Sequence, residues 1–216
     1  MDIYIKMINL SGIVSFPKIF LQPKLIVPKM VCTNFNEINF EQLKKTHGIK
    51  CIVLDKDNCI AKDKTDRIYP QYLQNNWING LLKWYDMDNI AVVSNSIGSS
   101  DDTIDFRDAK EFQKNYKQDM QNLEEKGKQH KDINIILHNK KKPGCQEEIL
   151  DYFIKEKKLC DHPSEIAIIG DRLFTDVLMG NMMKAFPVYL QTGVHLNEKN
   201  VLIKLEQILY NNYIKK

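Results

Sequence analysis

Ile52-Val53-Leu54-Asp55-Lys56-Asp57-Asn58-Cys59 decides the fold: an apolar, β-branched run stops abruptly at two carboxylates one residue apart. A strand that is apolar at every position, without alternation, belongs in a parallel sheet covered by helices on both faces. Runs of strand length are predicted at Lys50–Leu54, Ile90–Val93, Ile133–Leu137, Ile166–Ile169 and Pro187–Leu190. Helix-length segments separate them: Gln71–Asp86, Ile104–Gly127, Glu147–Lys158 and Phe174–Lys184. In the first of these, Tyr72, Leu73, Trp77, Leu81, Leu82 and Tyr85 recur at three- and four-residue steps, the mark of a helix with one buried face. Alternating strand and helix builds βαβ units, so the fold class is α/β with a doubly wound parallel sheet. Ligands of such sheets bind outside the carboxyl ends of the strands, which makes the residues after each strand the candidates for function.

Asp55 and Asp57, in backbone that is still extended, are expected on the same side. Buried carboxylates that close repel, and one stays protonated unless a cation joins them. With a hard dication present, one can attack as a nucleophile while the other shuttles a proton. An acidic turn is the plainer alternative. The second strand runs into Ser94-Asn95-Ser96 with Gly98 beyond, a neutral cradle for an anion; taken alone, a helix N-cap is the better reading of these residues. The third is followed by His138-Asn139-Lys140-Lys141-Lys142-Pro143. Lysine suits a phosphate oxygen, and proline holds Lys142 extended so that it can be aimed. Most charge runs are simply solvated loops, and His138 is given no role. The fourth ends Gly170-Asp171-Arg172-Leu173-Phe174-Thr175-Asp176, where glycine permits a sharp turn and Asp171 sits at the strand tip. Asp176, in the next helical turn, serves a metal or favours the positive helix end. Mg²⁺ demands oxygen ligands, and Asp55, Asp57, Asp171 and Asp176 are the candidate set, with a backbone carbonyl near Asp57 contributing. Each element is weak singly; their order at four consecutive strand ends is much harder to reach by chance.

The 216 residues suffice for one domain with a real core, and 31 basic against 28 acidic residues leave no footprint for nucleic acid. Five cysteines without a C-x-x-C pair argue against a zinc site or a disulfide framework. No apolar run reaches the ~18–20 residues of a membrane-spanning helix. Residues 1–36 nevertheless carry one acid, four lysines and many large apolar side chains, interrupted by Pro17, Pro23 and Pro28. This is either a membrane-surface or targeting arm or a segment packed on its own domain, which is taken as 37–216. A mitochondrial presequence normally contains arginine, and none precedes Arg67. At the other end Asn197–Tyr213 places Val201, Leu202, Leu205, Ile208, Leu209 and Tyr213 on one stripe and is predicted to cap the core. Asn115–Lys131 reads as a solvated helix and loop, and the Met-rich Val177–Met183 as core filler.

Asp55-Lys56-Asp57, Ser94-Asn95, Lys142-Pro143 and the G-D-R-x-x-x-D of Gly170–Asp176 resemble the four motifs of the haloacid dehalogenase superfamily of phosphatases. The strings VLDKDNC, VVSNS, KKPGC and GDRLFTD look closer to one branch, the fungal and plant mitochondrial phosphatidylglycerophosphatases, over about residues 23–194. That resemblance implies a Rossmannoid domain in which Asp55 attacks phosphorus and Asp57 acts as acid, then base. It implies that Ser94, Asn95 and Lys142 hold the phosphoryl group and that Asp171 and Asp176 serve Mg²⁺. Cys59 stands where threonine is commoner in the superfamily, and the close branch shares the cysteine. The implied substrate is phosphatidylglycerophosphate on the way to cardiolipin, met peripherally on the matrix side of the mitochondrial inner membrane. About a dozen residues, Asn58–Pro70, separate the first motif from the next helix, room for a flap but not for a large cap domain. The alternatives are a soluble phosphatase of the same superfamily acting on a nucleotide or sugar phosphate, and a non-enzymatic membrane-surface binding protein.

Overall fold

The computed structural model describes residues 19, 21–102, 104–123, 131–195 and 201–215. Among them β1 (Met30–Cys32), β2 (Cys51–Leu54), β3 (Ile90–Val92), β4 (Asn134–Ile135), β5 (Ile166–Gly170) and β6 (Phe186–Leu190) form one sheet in the order β1-β6-β5-β2-β3-β4. Every pairing is parallel. From β2 the chain winds one way through β3 and β4, then returns to β5 and β6 on the other side, so the strand order reverses at the β2–β5 boundary. That is where an α/β sheet opens its ligand crevice.

The helices are α1 (Phe40–Lys45), α2 (70–84), α3 (Arg107–Leu123), α4 (146–156), α5 (173–182) and α6 (201–214). The Asn39 side chain caps α1 by accepting from the Gln42 N–H, and Pro70 opens α2 at a position where its missing donor costs nothing. α1, α2 and α3 cover one face of the sheet: Trp77 lies against Phe35 and Tyr116, with ring centroids 5.9 and 5.8 Å away. α4 and α5 cover the other with Ile149, Phe153 and Met179. β2, β3, β5 and β6 are buried at every position, which is why their sequences do not alternate.

Three expectations change. A strand unread in the sequence, β1, lies inside residues 1–36 and packs on the domain, as one of the two readings of that segment had it; Lys29 N–H donates to Pro187 O at 3.0 Å, and Met30 pairs with Val188. Three residues beside prolines carry no periodicity to read. Ile26 is also buried against α5, whose Asn181 side chain donates to Leu25 O and Val27 O. The remainder of the predicted arm, 1–18 and 20, falls outside the described residues, as do 124–130 of the Lys- and Gln-rich stretch. Second, the strand expected at Ile133–Leu137 contracts to β4, and Leu137 is exposed.

Third, α6 does not cap the core through its apolar stripe. Glu206 and Tyr210 are its buried residues, while Val201, Leu202, Leu205, Ile208 and Tyr213 are exposed. An ion pair sets the rotation: Arg172 donates to Glu206 at 2.7 Å through Nε, and Phe174 N–H donates to the same carboxylate at 3.1 Å. Residues 197–200 of that prediction lie outside the described ones. No helix among the described residues is long and apolar enough to cross a membrane.

Candidate active site

Asp55 leaves β2 still in the ladder, its N–H donating to Ile169 O at 2.9 Å, so its side chain opens at the switch point. Asp171 follows β5 immediately and Asp176 lies in the first turn of α5. The three buried carboxylates each bring an oxygen to within 4.8 Å of the others. Gly170 makes this possible, since a Cβ there would stand 2.3 Å from Asp176 Cγ. Lys142 Nζ bridges Asp55 at 2.7 Å and Asp176 at 2.6 Å. The loop after β3 aims that lysine: Asn95 Oδ1 accepts the Lys142 N–H at 2.7 Å. His138, assigned no role above, is buried with its ring nitrogens 3.0 Å from Ser94 O and 2.8 Å from Lys140 O, tying the same two loops together.

Three carboxylates face one ammonium, and burial makes the imbalance felt. Burial pushes the Asp55 carboxyl up to about 7, against the pull of Lys142 and with help from Asp176. Asp171 is driven well above the carboxylate range by burial, then by Asp55 and Asp176. Burial works to lower the Lys142 ammonium, but Asp176 and Asp55 outweigh it and raise it. Asp171 Oδ2 accepts from Asn58 at 2.7 Å, while its buried Oδ1 has no hydrogen-bond partner among the described residues. Surplus negative charge, oxygen donors only and an orphaned buried acceptor are the donor chemistry of a hard divalent cation. The residues therefore fit Mg²⁺.

Asp57 is placed differently from the other acids. Its carboxylate binds the buried Lys56 ammonium and the Ser96 hydroxyl, accepts Lys64 N–H at 3.1 Å, and has Ser94 Oγ at 3.5 Å. Burial works to raise it, but Lys56 and these donors hold it below the usual carboxylate range. It stands beside the cluster of Asp55, Asp171 and Asp176 without joining it. Its charge still reaches Asp55 and helps raise that carboxyl; the extended backbone ends at Asp55 and turns, with Asn58 in the left-handed region at φ 59°.

Sequence reasoning gave no role to Lys56, Asn58 or Glu206, and named Ser96 only within the cradle, not as a partner of Asp57. Lys56 and Asn58 lie within or beside the first motif, where chemistry between recognised residues goes unread. Glu206 had a signal: a lone acid in an apolar helix, at the register that turns out to be buried.

A family model described as Mitochondrial PGP phosphatase matches residues 10–195. This chain belongs to the mitochondrial PGP phosphatase family. It is 39% identical over 203 residues to the mitochondrial phosphatidylglycerophosphatase GEP4 of Saccharomyces cerevisiae, covering 94% of this chain and 97% of that protein. A probable mitochondrial phosphatidylglycerophosphatase of Schizosaccharomyces pombe is 30% identical, covering 94% of this chain and 92% of its own. The chloroplastic/mitochondrial phosphatidylglycerophosphate phosphatase 1 of Arabidopsis thaliana is also 30% identical, over 81% of this chain and 43% of that protein. No solved structure matches the chain. Membership in the PGP phosphatase family makes this protein a phosphoric monoester hydrolase. The six-stranded parallel sheet is consistent with the Rossmannoid fold that the motifs led one to expect.

Proposed function

We propose that this chain hydrolyses phosphatidylglycerophosphate to phosphatidylglycerol in mitochondria, with Mg²⁺ as cofactor and an aspartyl-phosphate on Asp55. The observation that carries the chemistry is Asp55 itself. It is a buried carboxylate at the switch point, 2.7 Å from the Lys142 ammonium, in a cluster whose remaining charge calls for a dication. The names and coverage of the yeast relatives support the substrate and the compartment.

Asp55, Asp171 and Asp176 would hold the cation, which when bound neutralises charge on the transferring phosphoryl oxygens. Lys142 supplies the fixed positive charge of the protein on the same oxygens. An Asp55 oxygen forms a bond to phosphorus as the bond to the glycerol oxygen breaks, and Asp57 gives that oxygen its proton. Asp57 then takes a proton from water, whose oxygen attacks phosphorus and releases phosphate, regenerating the Asp55 carboxylate. Asp57 lies on the Lys56, Ser94 and Ser96 side of Asp55, so the leaving group and the water belong on that side.

The test is phosphate release from phosphatidylglycerophosphate in detergent micelles with Mg²⁺, beside soluble phosphomonoesters and the Asp55→Asn variant. Preference for the lipid, abolished in the variant, is the expected result. Substantial turnover by Asp55→Asn would sink the mechanism, and equal turnover of soluble esters would sink the substrate.

A further inference from the structure

The face that α6 turns outward is apolar, and it adjoins the active site. Ile208 is 54% exposed and Tyr213 74%, with Leu205 beside them at 39%. Between α6 and residues 23–27 runs a groove of ≈ 530 Å³ whose lining includes Ile26, Val27, Phe174, Leu205, Leu209 and Tyr213. Lys24 is its one charged lining residue among the described residues. Phe174 shares a helical turn with Asp176, and its N–H is held by Glu206 of α6, so the groove begins one turn of helix from the carboxylate cluster.

Charge decides what occupies this face. Residues 21–32 and 201–215 contain Lys24, Lys29, Lys204 and Lys215, and the single acid among them, Glu206, is buried on Arg172. Within these two segments, remote in sequence, large apolar side chains thus lie with Lys24 on the groove and Lys204 and Lys215 on α6, and none of their described residues is an exposed acid; the Lys29 ammonium is held by Ala185 O instead. An apolar surface with a basic rim matches an anionic lipid interface, where aliphatic and aromatic groups enter the acyl boundary and lysines meet phosphates.

We infer that α6 and residues 21–27 together form the surface by which the protein docks on an anionic phospholipid bilayer, with the groove receiving an acyl chain. The inference rests on the lipid-substrate reading and gives it a place: a lipid seated in the groove carries its headgroup toward Asp55. The helix expected to cap the core is instead the membrane-facing element, held to the Asp171 loop through Glu206 and Arg172.

The experiment is flotation of the full chain with vesicles of phosphatidylcholine alone or of phosphatidylcholine with phosphatidylglycerol. The wild type should float with the anionic vesicles and about tenfold less with the neutral ones. Ile208→Asp and, separately, Tyr213→Asp should weaken anionic binding by about tenfold or more with unchanged melting temperature, because both side chains are exposed. Lys204→Glu should weaken binding to the anionic vesicles alone. Absence of wild-type flotation, or flotation of both aspartate variants like wild type, overturns the proposal. A wild-type dimer in solution that Ile208→Asp dissociates would assign the face to a second copy and also overturn it. Flotation needs no turnover, so intact flotation with no phosphate release from micellar phosphatidylglycerophosphate would support docking while refuting the substrate.

Discussion

Removing divalent cations should make the protein less stable as pH rises, and Mg²⁺ should restore most where the loss is greatest. Asp55, Asp171 and Asp176 set three acidic groups against the one ammonium of Lys142 in a buried site. The Asp55 carboxyl, at about 7 in the fold, lies far above its ordinary value of 3.8. Such a group contributes stability that is fully present below its unfolded value and is lost as pH rises through its folded value. For Asp55 alone the loss between pH of about 4 and about 8 is on the order of 4 kcal/mol. In a chain of this length that lowers the melting temperature by on the order of 10 °C. Asp171, also raised, adds in the same direction. Mg²⁺ at a hundred times its Kd stabilises by about 2.7 kcal/mol, but near pH 5 it must first displace the proton on Asp55, so its effect shrinks. The assay is thermal unfolding followed by circular dichroism in EDTA and in Mg²⁺, from about pH 5 to about pH 8. Asp55→Asn serves as reference: it lacks the titrating carboxyl and keeps His138, whose burial lowers its imidazole and tilts the curve the other way. If the wild type minus Asp55→Asn difference in EDTA is flat with pH, or Mg²⁺ stabilises equally at both ends, the electrostatic account of the cluster is wrong.

Asp57→Asn should lower kcat by ~10²–10⁴-fold while changing the Mg²⁺ dependence of stability little, because its carboxylate binds Lys56 and Ser96 outside the cluster; a large loss of Mg²⁺ stabilisation in that variant would place it among the ligands. Glu206→Leu leaves the half-buried Arg172 guanidinium without its partner and should cost about 2–3 kcal/mol in urea unfolding. Glu206→Gln, which can still accept from Phe174 N–H, should cost clearly less; equal costs would mean that the ion pair contributes nothing specific.

The sheet was legible because its central strands are buried on both faces. β2, β3, β5 and β6 read as largely apolar runs, and Asp55 and Asp171, which directly follow β2 and β5, are buried acids that cannot stay in a core without a purpose. The α2 stripe was legible for the complementary reason: Tyr72, Leu73, Trp77 and Leu81 all face the same packed layer. β1 was not. Edge strands of three residues are specified by the neighbour they pair with, here β6, more than by their own pattern. α6 failed for a more instructive reason. Hydrophobic periodicity identifies a helix and its apolar face, but the inward face is set by the most costly group to leave unpaired, and on α6 that group is Glu206 opposite Arg172.

The same reasoning explains what the D-K-D motif conceals. Two aspartates one residue apart look like a matched pair, yet their partners divide the work. Asp55 takes Lys142 and the cluster, and burial keeps its proton affinity high until positive charge arrives. Asp57 takes Lys56, the residue between them, and stays ionised at the edge of the cluster. In the proposed mechanism Asp57 first gives a proton and then takes one, which would need a proton affinity that changes during the cycle. The charge nearest Asp57 is the Lys56 ammonium, and Ser94 and Ser96 are hydroxyls that can turn to accept as well as donate. An arriving phosphate monoester brings negative charge beside Asp57 and competes for those hydroxyls. Both effects raise its proton affinity just when an acid is required. On that proposal the buried lysine inside the motif would hold Asp57 in its resting, ionised state, and the substrate's own charge would reverse that bias.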